Sequence, residues 1–519
     1  MGKSDEGLKE QIVEKFNIPE ELAEVLIKKG VTNIDLAEAT FNPVLENLQP
    51  PSTLPNLYPA VDRILRGVGK KENILVFGHE DADGITSTVI LLKAIKQLGG
   101  DASHYIPSKK NEGYGLQPET IDEFKRRGVQ LIVTVDSCSS CIEGVEHAKK
   151  AGIDVVITDH HELPDVLPDT YIVNPKLGGG SFRYLAGVGV SFKVAWELLK
   201  LKIGWDLNEI KNNLPEFFVL TMVGTIADRV PPFCENRIFI NEGRKLFDWF
   251  NSPYLKAYES YKKQKPSIEN LISIISAGKS TNGENVGVKL LMAQDPADAE
   301  EYLIPILDAI DKWQKTTQEL LEEAKKRVKR VRDYIVIDME NVEPQYLGFL
   351  ASQLKDAYGV PTIVLGRKSG GKAVAEVRAP YGFNSLDVLN ELAHLFIDYG
   401  GHAPASGFSL DECDVPELIE ELEIYFKNNP FNPGMPYSDL EVNGSKNKFF
   451  FESLATLGEL GVDLRVLFKG VKLGEIKENL KGLSVIDTES LLDLYPADKS
   501  VAILLVSSPQ GIRVEKLLV

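Results

Sequence analysis

Positive charge is in short supply in this chain: 58 Lys and Arg stand against 76 Asp and Glu, a formal charge of −18. A protein that grips a polyanion over its whole surface needs the opposite sign, so any nucleic-acid site must be local. Cysteine is scarce, with four residues at Cys138, Cys141, Cys234 and Cys413. They are too few and too scattered for a disulfide framework in a chain of this length, which fits a reducing compartment. No run approaches the roughly 18 consecutive apolar residues of a membrane-spanning helix. The charged residues 1–10 lack the apolar stretch of a signal peptide. A cytoplasmic protein without membrane partners is expected.

What is present is a globular composition, 43% hydrophobic and 26% charged over 519 residues, too long for one small module. Residues 1–70 read as a helical lead-in, broken at Asn42-Pro43 and Gln49-Pro50-Pro51-Ser52. From Asn73 the texture changes. Ile74-Leu75-Val76-Phe77-Gly78, Leu131-Ile132-Val133-Thr134-Val135 and Val155-Val156-Ile157-Thr158 are short apolar runs separated by helical segments, one of them from Thr86 to Leu98. Strand and helix in alternation imply a parallel sheet covered on both faces, so residues 71–310 read as an α/β domain. Residues 311–333 lack Gly and Pro and read as a connecting helix. A smaller α/β domain follows over 334–428, beginning with Tyr334-Ile335-Val336-Ile337, and a small β-rich module over 429–519.

The chemistry lies at the strand ends. Gly78-His79-Glu80-Asp81-Ala82-Asp83-Gly84 follows the first strand, and residues two apart in extended chain point to one side, which would bring His79, Asp81 and Asp83 together. The second strand runs into Asp136 and the third into Asp159-His160-His161, at the carboxyl ends where open α/β sheets bind ligands. Gly224-Thr225-Ile226-Ala227-Asp228 adds a carboxylate after the apolar residues 217–223. One Asp after a strand is ordinarily a helix N-cap, and His160-His161 alone reads as a satisfied buried pair. Jointly these readings fail, because so many carboxylates and imidazoles would repel and desolvate one another unless cations neutralised them. Mixed His and Asp ligands favour manganese, with magnesium the alternative. Two such ions, about 3.5–4 Å apart and bridged by one carboxylate, make a clamp for in-line hydrolysis at phosphorus.

The signature His79-Glu80-Asp81-Ala82-Asp83-Gly84, Val135-Asp136, Asp159-His160-His161 and Gly224-Thr225-Ile226-Ala227-Asp228 resembles the four motifs of the DHH phosphoesterases. Gly400-Gly401-His402-Ala403-Pro404-Ala405-Ser406-Gly407-Phe408 resembles the Gly-Gly-His motif of the DHH-associated domain. Phe41-Asn42-Pro43, Tyr105-Ile106-Pro107, Glu112-Gly113-Tyr114-Gly115-Leu116 and Leu185-Ala186-Gly187-Val188-Gly189-Val190 are similar to segments of its RecJ branch of single-strand-specific exonucleases. The resemblance implies one Mn2+ on His79, Asp81 and Asp136 and a second on Asp83, Asp136, His160 and Asp228, with Asp136 bridging. It implies that His161 contacts the scissile phosphate or helps the leaving group, and that Asp159 orients a neighbouring imidazole. His79 departs from the pattern, since RecJ-like chains commonly carry Asp there. In the DHH-associated domain the resemblance implies a substrate grip by Gly400, Gly401, His402 and Arg378, joined by Lys279. Ala379 stands where Ser usually follows the Arg.

Some features keep two readings. Lys325, Lys326, Arg327, Lys329, Arg330 and Arg332 form either an electrostatic path for single strands or a solvated face paired with Glu319, Glu322 and Glu323. Tyr114 either stacks on a base or is an ordinary loop aromatic. Cys138 and Cys141 lack the second pair of a zinc site and read as small helix-start residues. The expected activity is two-metal hydrolysis of single-stranded DNA, with 5′-3′ polarity favoured and RNA open, in repair, recombination or replication. The connecting helix would hold the Gly-Gly-His domain opposite the metal domain, leaving a channel that admits one strand. A nanoRNase or cyclic-dinucleotide phosphodiesterase, and a replication-complex scaffold with replication or repair partners, are the alternatives.

Overall fold

The computed structural model describes residues 3–108, 115–178, 180–328, 333–368, 370–431 and 437–518. The chain forms two compact units, Met1–Asp308 with Leu440–Val519, and Ala309–Asp439.

The first unit is built on five parallel strands, β1 (Asn73–Phe77), β2 (Asp101–Tyr105), β3 (Leu131–Val135), β4 (Asp154–Thr158) and β5 (Tyr171–Val173), in the order β2-β1-β3-β4-β5. All of β3 is buried, as are four of the five residues in β1 and in β4, the burial of a sheet covered on both faces. The mixed Asp101–Tyr105 and the three-residue Tyr171–Val173 are the strands that apolar runs do not reveal. From β1 the chain moves to β2 on one side, then crosses back to β3 on the other. The carboxyl ends of β1 and β3 therefore flank a switch point, where a crevice opens between crossovers that leave in opposite directions.

The lead-in is joined to this unit by buried polar contacts. Thr40 lies 3.2 Å from Cys234, and the fully buried ion pair Lys193–Glu235 connects through Ser181 to Thr53. In a short hairpin of β6 (Ser280–Thr281) and β7 (Glu284–Asn285), Gly283 O accepts a hydrogen bond from Ile106 N beyond β2. The final residues form an open sheet of the same unit, ordered β13 (Leu440–Asn443), β14 (Arg465–Lys472), β16 (Ser500–Ser508), β17 (Gly511–Leu518) and β15 (Val485–Ile486), with helices Lys448–Glu459 and Leu473–Leu480. Arg237 reaches this module by a 2.7 Å bond to Glu459 O.

The second unit is a mixed sheet ordered β11 (Asp398–His402), β12 (Ala405–Asp411), β10 (Lys372–Arg378), β9 (Thr362–Lys368) and β8 (Ile335–Asp338). Helix Pro344–Tyr358 supplies Leu347, Leu350 and Leu354 to the core on Val364, and helix Val415–Asn428 supplies Leu418 and Leu422 to the core on Leu365 and Ala375. The helix expected over 311–333 runs instead over Pro296–Arg327 and includes Pro305. Proline reads as a breaker in sequence, but buried Ala299, Leu303, Ile306 and Leu307 supply packing that carries the helix past it.

Candidate metal centre

Each acidic or imidazole group at the switch point is set by local backbone. Asp81 is the N-cap of helix Ala82–Gln97, its carboxylate accepting from Gly84 N at 2.9 Å. Asp83 is therefore in the first turn of that helix and not in extended chain, which corrects the expectation that His79, Asp81 and Asp83 share one side. The helical turn directs the Asp83 carboxylate to a different helix. Its two carboxylate oxygens accept from Gly187 N at 2.7 Å and Val188 N at 2.8 Å, at the start of helix Gly187–Ile203. A helix N-terminus offers amide donors and positive potential to a carboxylate.

Asp136 leaves β3 with φ of 54°, a region that non-glycine residues seldom occupy and that Asp and Asn tolerate best. Its Oδ2 lies 3.6 Å from His79 Nδ1 and its Oδ1 3.1 Å from His160 Nε2. His79 Nδ1 is also 2.8 Å from Asp81. On the other side, His160 Nε2 stands 3.7 Å from Asp83 and 3.6 Å from Asp228, the residue that ends helix Glu216–Ala227. Ligand atoms thus gather into His79–Asp81–Asp136, Asp83–His160–Asp228 and Asp136–His160–His161 groups, each within 4.8 Å. Asp136 belongs to two of them.

Asp159 plays a different part. Its carboxylate accepts from the backbone N–H groups of Ser139, His160 and His161 and is 2.8 Å from His161 Nδ1. Burial would raise this carboxyl, but the His161 and Ser139 bonds hold it far below the ordinary range. The same His161–Asp159 bond raises the imidazole of His161, whose side chain is 53% exposed.

The charge balance bears on whether cations fit. Burial alone would lower His79 and His160, yet the Asp136 and Asp81 contacts raise His79 to about 9, and Asp136 with Asp83 and Asp228 raises His160 to about 10. Burial, then the neighbouring Asp136, pushes Asp83 upward, and burial raises Asp228. Asp136 Oδ1 and His160 Nε2 are buried and face each other at 3.1 Å, and neither has another hydrogen-bond partner among the described residues. Oxygen and nitrogen donors in this arrangement fit divalent ions of the manganese or magnesium type.

Glycines keep the centre compact. A Cβ on Gly187 would lie 2.7 Å from Asp136 Oδ1, and one on Gly224 would lie 2.5 Å from Thr86 Oγ1 and 3.0 Å from Asp83 Oδ1. The amides of Gly187 and Val188 are the contribution that residue types alone do not reveal, because backbone donors carry no side-chain signature.

The expected substrate residues lie as follows. Lys279 is exposed, next to Ser280, whose N–H donates to Glu80 at 2.7 Å. Arg378 ends β10 with its guanidinium on Glu376 Oε2 at 2.7 Å and on Val377 O. Gly400, Gly401 and His402 are exposed on the edge strand β11. Only Gly401 needs to be glycine: its φ is 135° and a Cβ would meet Ser406 Cα at 2.5 Å, whereas Gly400 has open space. Tyr114 and, in the basic run, Lys329, Arg330 and Arg332 lie outside the described residues. Of the rest of that run, Lys325 pairs with Glu322 and Arg327 with Glu323.

Residues 73–225 match the DHH family, N-terminal domain, and residues 332–428 match the DHHA1 domain. The chain is similar to single-stranded-DNA-specific exonuclease RecJ of Bacillus subtilis, 32% identical over 435 residues, covering 81% of this chain and 54% of that protein. It is similar to the RecJ proteins of Salmonella typhimurium and Escherichia coli, each at 31% identity, covering 76% and 78% of this chain and 73% and 74% of theirs. It thus spans about half the length of the first relative and three quarters of the others. Among solved structures, exonuclease RecJ bound to manganese superposes with a TM-score of 0.63 at 26% identity, over 74% of this chain and 96% of that one. RecJ in complex with Mn2+ from Thermus thermophilus shares the fold, with a TM-score of 0.67 at 21% identity over 98% and 78%.

Proposed function

This chain belongs to the RecJ family of DHH-domain proteins, and on that premise we propose that it is a divalent-metal-dependent exonuclease that hydrolyses single-stranded DNA to mononucleotides. The observation that carries the reading is Asp136, a buried carboxylate shared between two ligand groups at the switch point. His79, Asp81 and Asp136 would hold one cation, and Asp83, Asp136, His160 and Asp228 the other, with manganese preferred. Bound divalent ions supply Lewis acidity and lower the pKa of water, the requirements of phosphodiester hydrolysis.

The chain's own groups do the positioning. With Nδ1–H donated to Asp159, His161 is oriented with its other nitrogen available, and the raised pKa suits it to give a proton to a leaving oxygen. Asp159 is a positioning residue, acting through that imidazole. Arg378, Gly400, Gly401 and His402, with Lys279, are the proposed grip on the nucleic-acid backbone, where the Gly401 conformation exposes an edge amide and Arg378 gives a bidentate donor. Arg378→Ala should raise KM about tenfold with kcat nearly unchanged, as loss of one charge-assisted phosphate contact implies; steady-state kinetics on single-stranded DNA check this, and a pure kcat defect would contradict the role.

Metal binding has a proton signature. With pKa values raised to about 9 and 10, His79 and His160 are protonated near neutral pH in the cation-free protein, and each must lose its proton to become a ligand. Mn2+ titration near pH 7.5 should release protons, and affinity should rise with pH until both imidazoles are neutral. Calorimetry in buffers of different ionisation enthalpy measures the release; none at all would remove these two imidazoles from the ligand set.

Substrate choice is tested with end-labelled single-stranded DNA, single-stranded RNA, blunt duplex and tailed duplex, each with Mn2+ and with Mg2+. Stepwise loss of nucleotides from single-stranded DNA, from the 5′ end, is expected, with blunt duplex resistant. Equal digestion of blunt duplex would overturn the single-strand assignment.

A further inference from the structure

The loop that follows Asp136 carries a feature the metal centre does not use. Cys138 is buried with φ of 80°, a backbone conformation that costs a non-glycine residue about 1–3 kcal/mol. Cys141 is the residue preceding helix Ile142–Lys150 and is only partly buried. Cys141 N donates to Cys138 O at 3.1 Å, closing a turn that carries both thiols. Two thiols in Cys-x-x-Cys spacing on a turn that opens a helix form the arrangement of reversible redox dithiols. Among the described residues no cysteine joins a metal-ligating group.

We propose that Cys138 and Cys141 form a reversible dithiol/disulfide switch that controls cation binding. The oxidant is a hydroperoxide. It converts the Cys141 thiol to a sulfenic acid: an S–O bond forms, the O–O bond breaks and the alcohol, or water from hydrogen peroxide, leaves. The Cys138 sulfur then attacks that sulfur. The S–S bond forms, the S–O bond breaks, and the hydroxyl departs as water with the Cys138 proton. Two electrons pass from the thiol pair to one peroxide, and a dithiol reductant reverses the change by exchange. Cys141 is the less buried member of the pair, Cys138 being buried, so it is the sulfur that meets the oxidant first.

The consequence follows from what the turn holds. Ser139, between the two cysteines, donates its N–H to Asp159 Oδ2 at 2.9 Å and accepts from Asn174 at 3.2 Å through its hydroxyl. Asp159 in turn orients His161, and strained Asp136 lies two residues upstream. A disulfide across residues 138–141 replaces two free rotors with a rigid ring, moving the Ser139 amide and the Asp136 backbone. The effect on hydrolysis rests on the exonuclease reading; the disulfide itself does not.

The test oxidises the full chain with hydrogen peroxide, maps thiols by alkylation and mass spectrometry, and measures Mn2+ binding by calorimetry before, after and following re-reduction. Two of the four thiols should disappear, with residues 138 and 141 in one linked peptide. Mn2+ affinity should fall about tenfold or more, the size of effect that disturbing groups behind metal ligands produces, and recover with dithiothreitol. Cys141→Ser and Cys138→Gly, the latter suited to the positive φ, should both bind Mn2+ like the reduced protein and ignore peroxide. Oxidation confined to Cys234 or Cys413, or over-oxidised Cys141 without a link, would overturn the pairing. A linked pair with unchanged Mn2+ affinity would overturn the switch. A reduced protein that binds Mn2+ and shows the switch, yet leaves single-stranded DNA intact, would count against the exonuclease reading alone.

Discussion

Asp136→Asn should lower the single-strand exonuclease rate by at least about 10³-fold, equivalent to roughly 4 kcal/mol of transition-state stabilisation. Asparagine is the informative replacement because it has the same shape and tolerates the left-handed φ of 54°, whereas alanine would add backbone strain to the loss of charge. The carboxylate lies between His79 and His160 and enters two of the three groups able to hold a metal, so its neutralisation would remove an anion from both proposed cation positions at once. The backbone bond from Asp136 N to Thr158 O is untouched, and a cooperative thermal transition with native circular dichroism should persist. Single-turnover cleavage with Mn2+ measures the effect; a variant retaining a tenth of the activity would show that the two groups do not share this ligand.

Gly187→Ala should cost about 10²-fold in activity and about 1–3 kcal/mol in stability, although the residue offers no side chain to chemistry. The added Cβ would meet Asp136 Oδ1 at 2.7 Å and Asp136 Cβ at 2.8 Å, so the start of its helix must retreat. That movement breaks the two amide bonds that hold Asp83, at 2.7 and 2.8 Å. Gly189→Ala in the same helix is the control. There the nearest atom is 3.4 Å away, and replacing an interior glycine favours the helix by up to about 1 kcal/mol. Kinetics and chemical denaturation of the pair separate a helix effect from a site effect; equal behaviour of the two variants would reject the close-packing argument.

Much of the site was legible before folding because strand ends announce themselves. The apolar runs ending at Phe77, Val135 and Thr158 place His79, Asp136 and Asp159-His160-His161 at one edge of a parallel sheet. Asp228 is harder to find, since it closes a helix far along the chain, and its inclusion rests on the cost of another carboxylate beside the others and on the motif Gly224-Thr225-Ile226-Ala227-Asp228. The expectation for Asp83 failed at the level of local structure. A period of two does not hold in a segment whose Asp81 caps a helix, and the helical turn sets Asp83 beside His160. The two strands without apolar runs, Asp101–Tyr105 and Tyr171–Val173, and the helix that passes through Pro305 were hidden for a related reason: tertiary packing outweighs local propensity.

The sequence alone determined the ligand types, their placement after buried strands, and family membership, since these depend on residue identity and short-range periodicity. Only the tertiary structure showed that Asp83 stands beside His160 and Asp136 beside both imidazoles, and that the amides of Gly187 and Val188 complete the cradle for Asp83. Both depend on distances between segments separated by up to about a hundred residues, and such distances are set by packing and backbone direction, which no local pattern encodes.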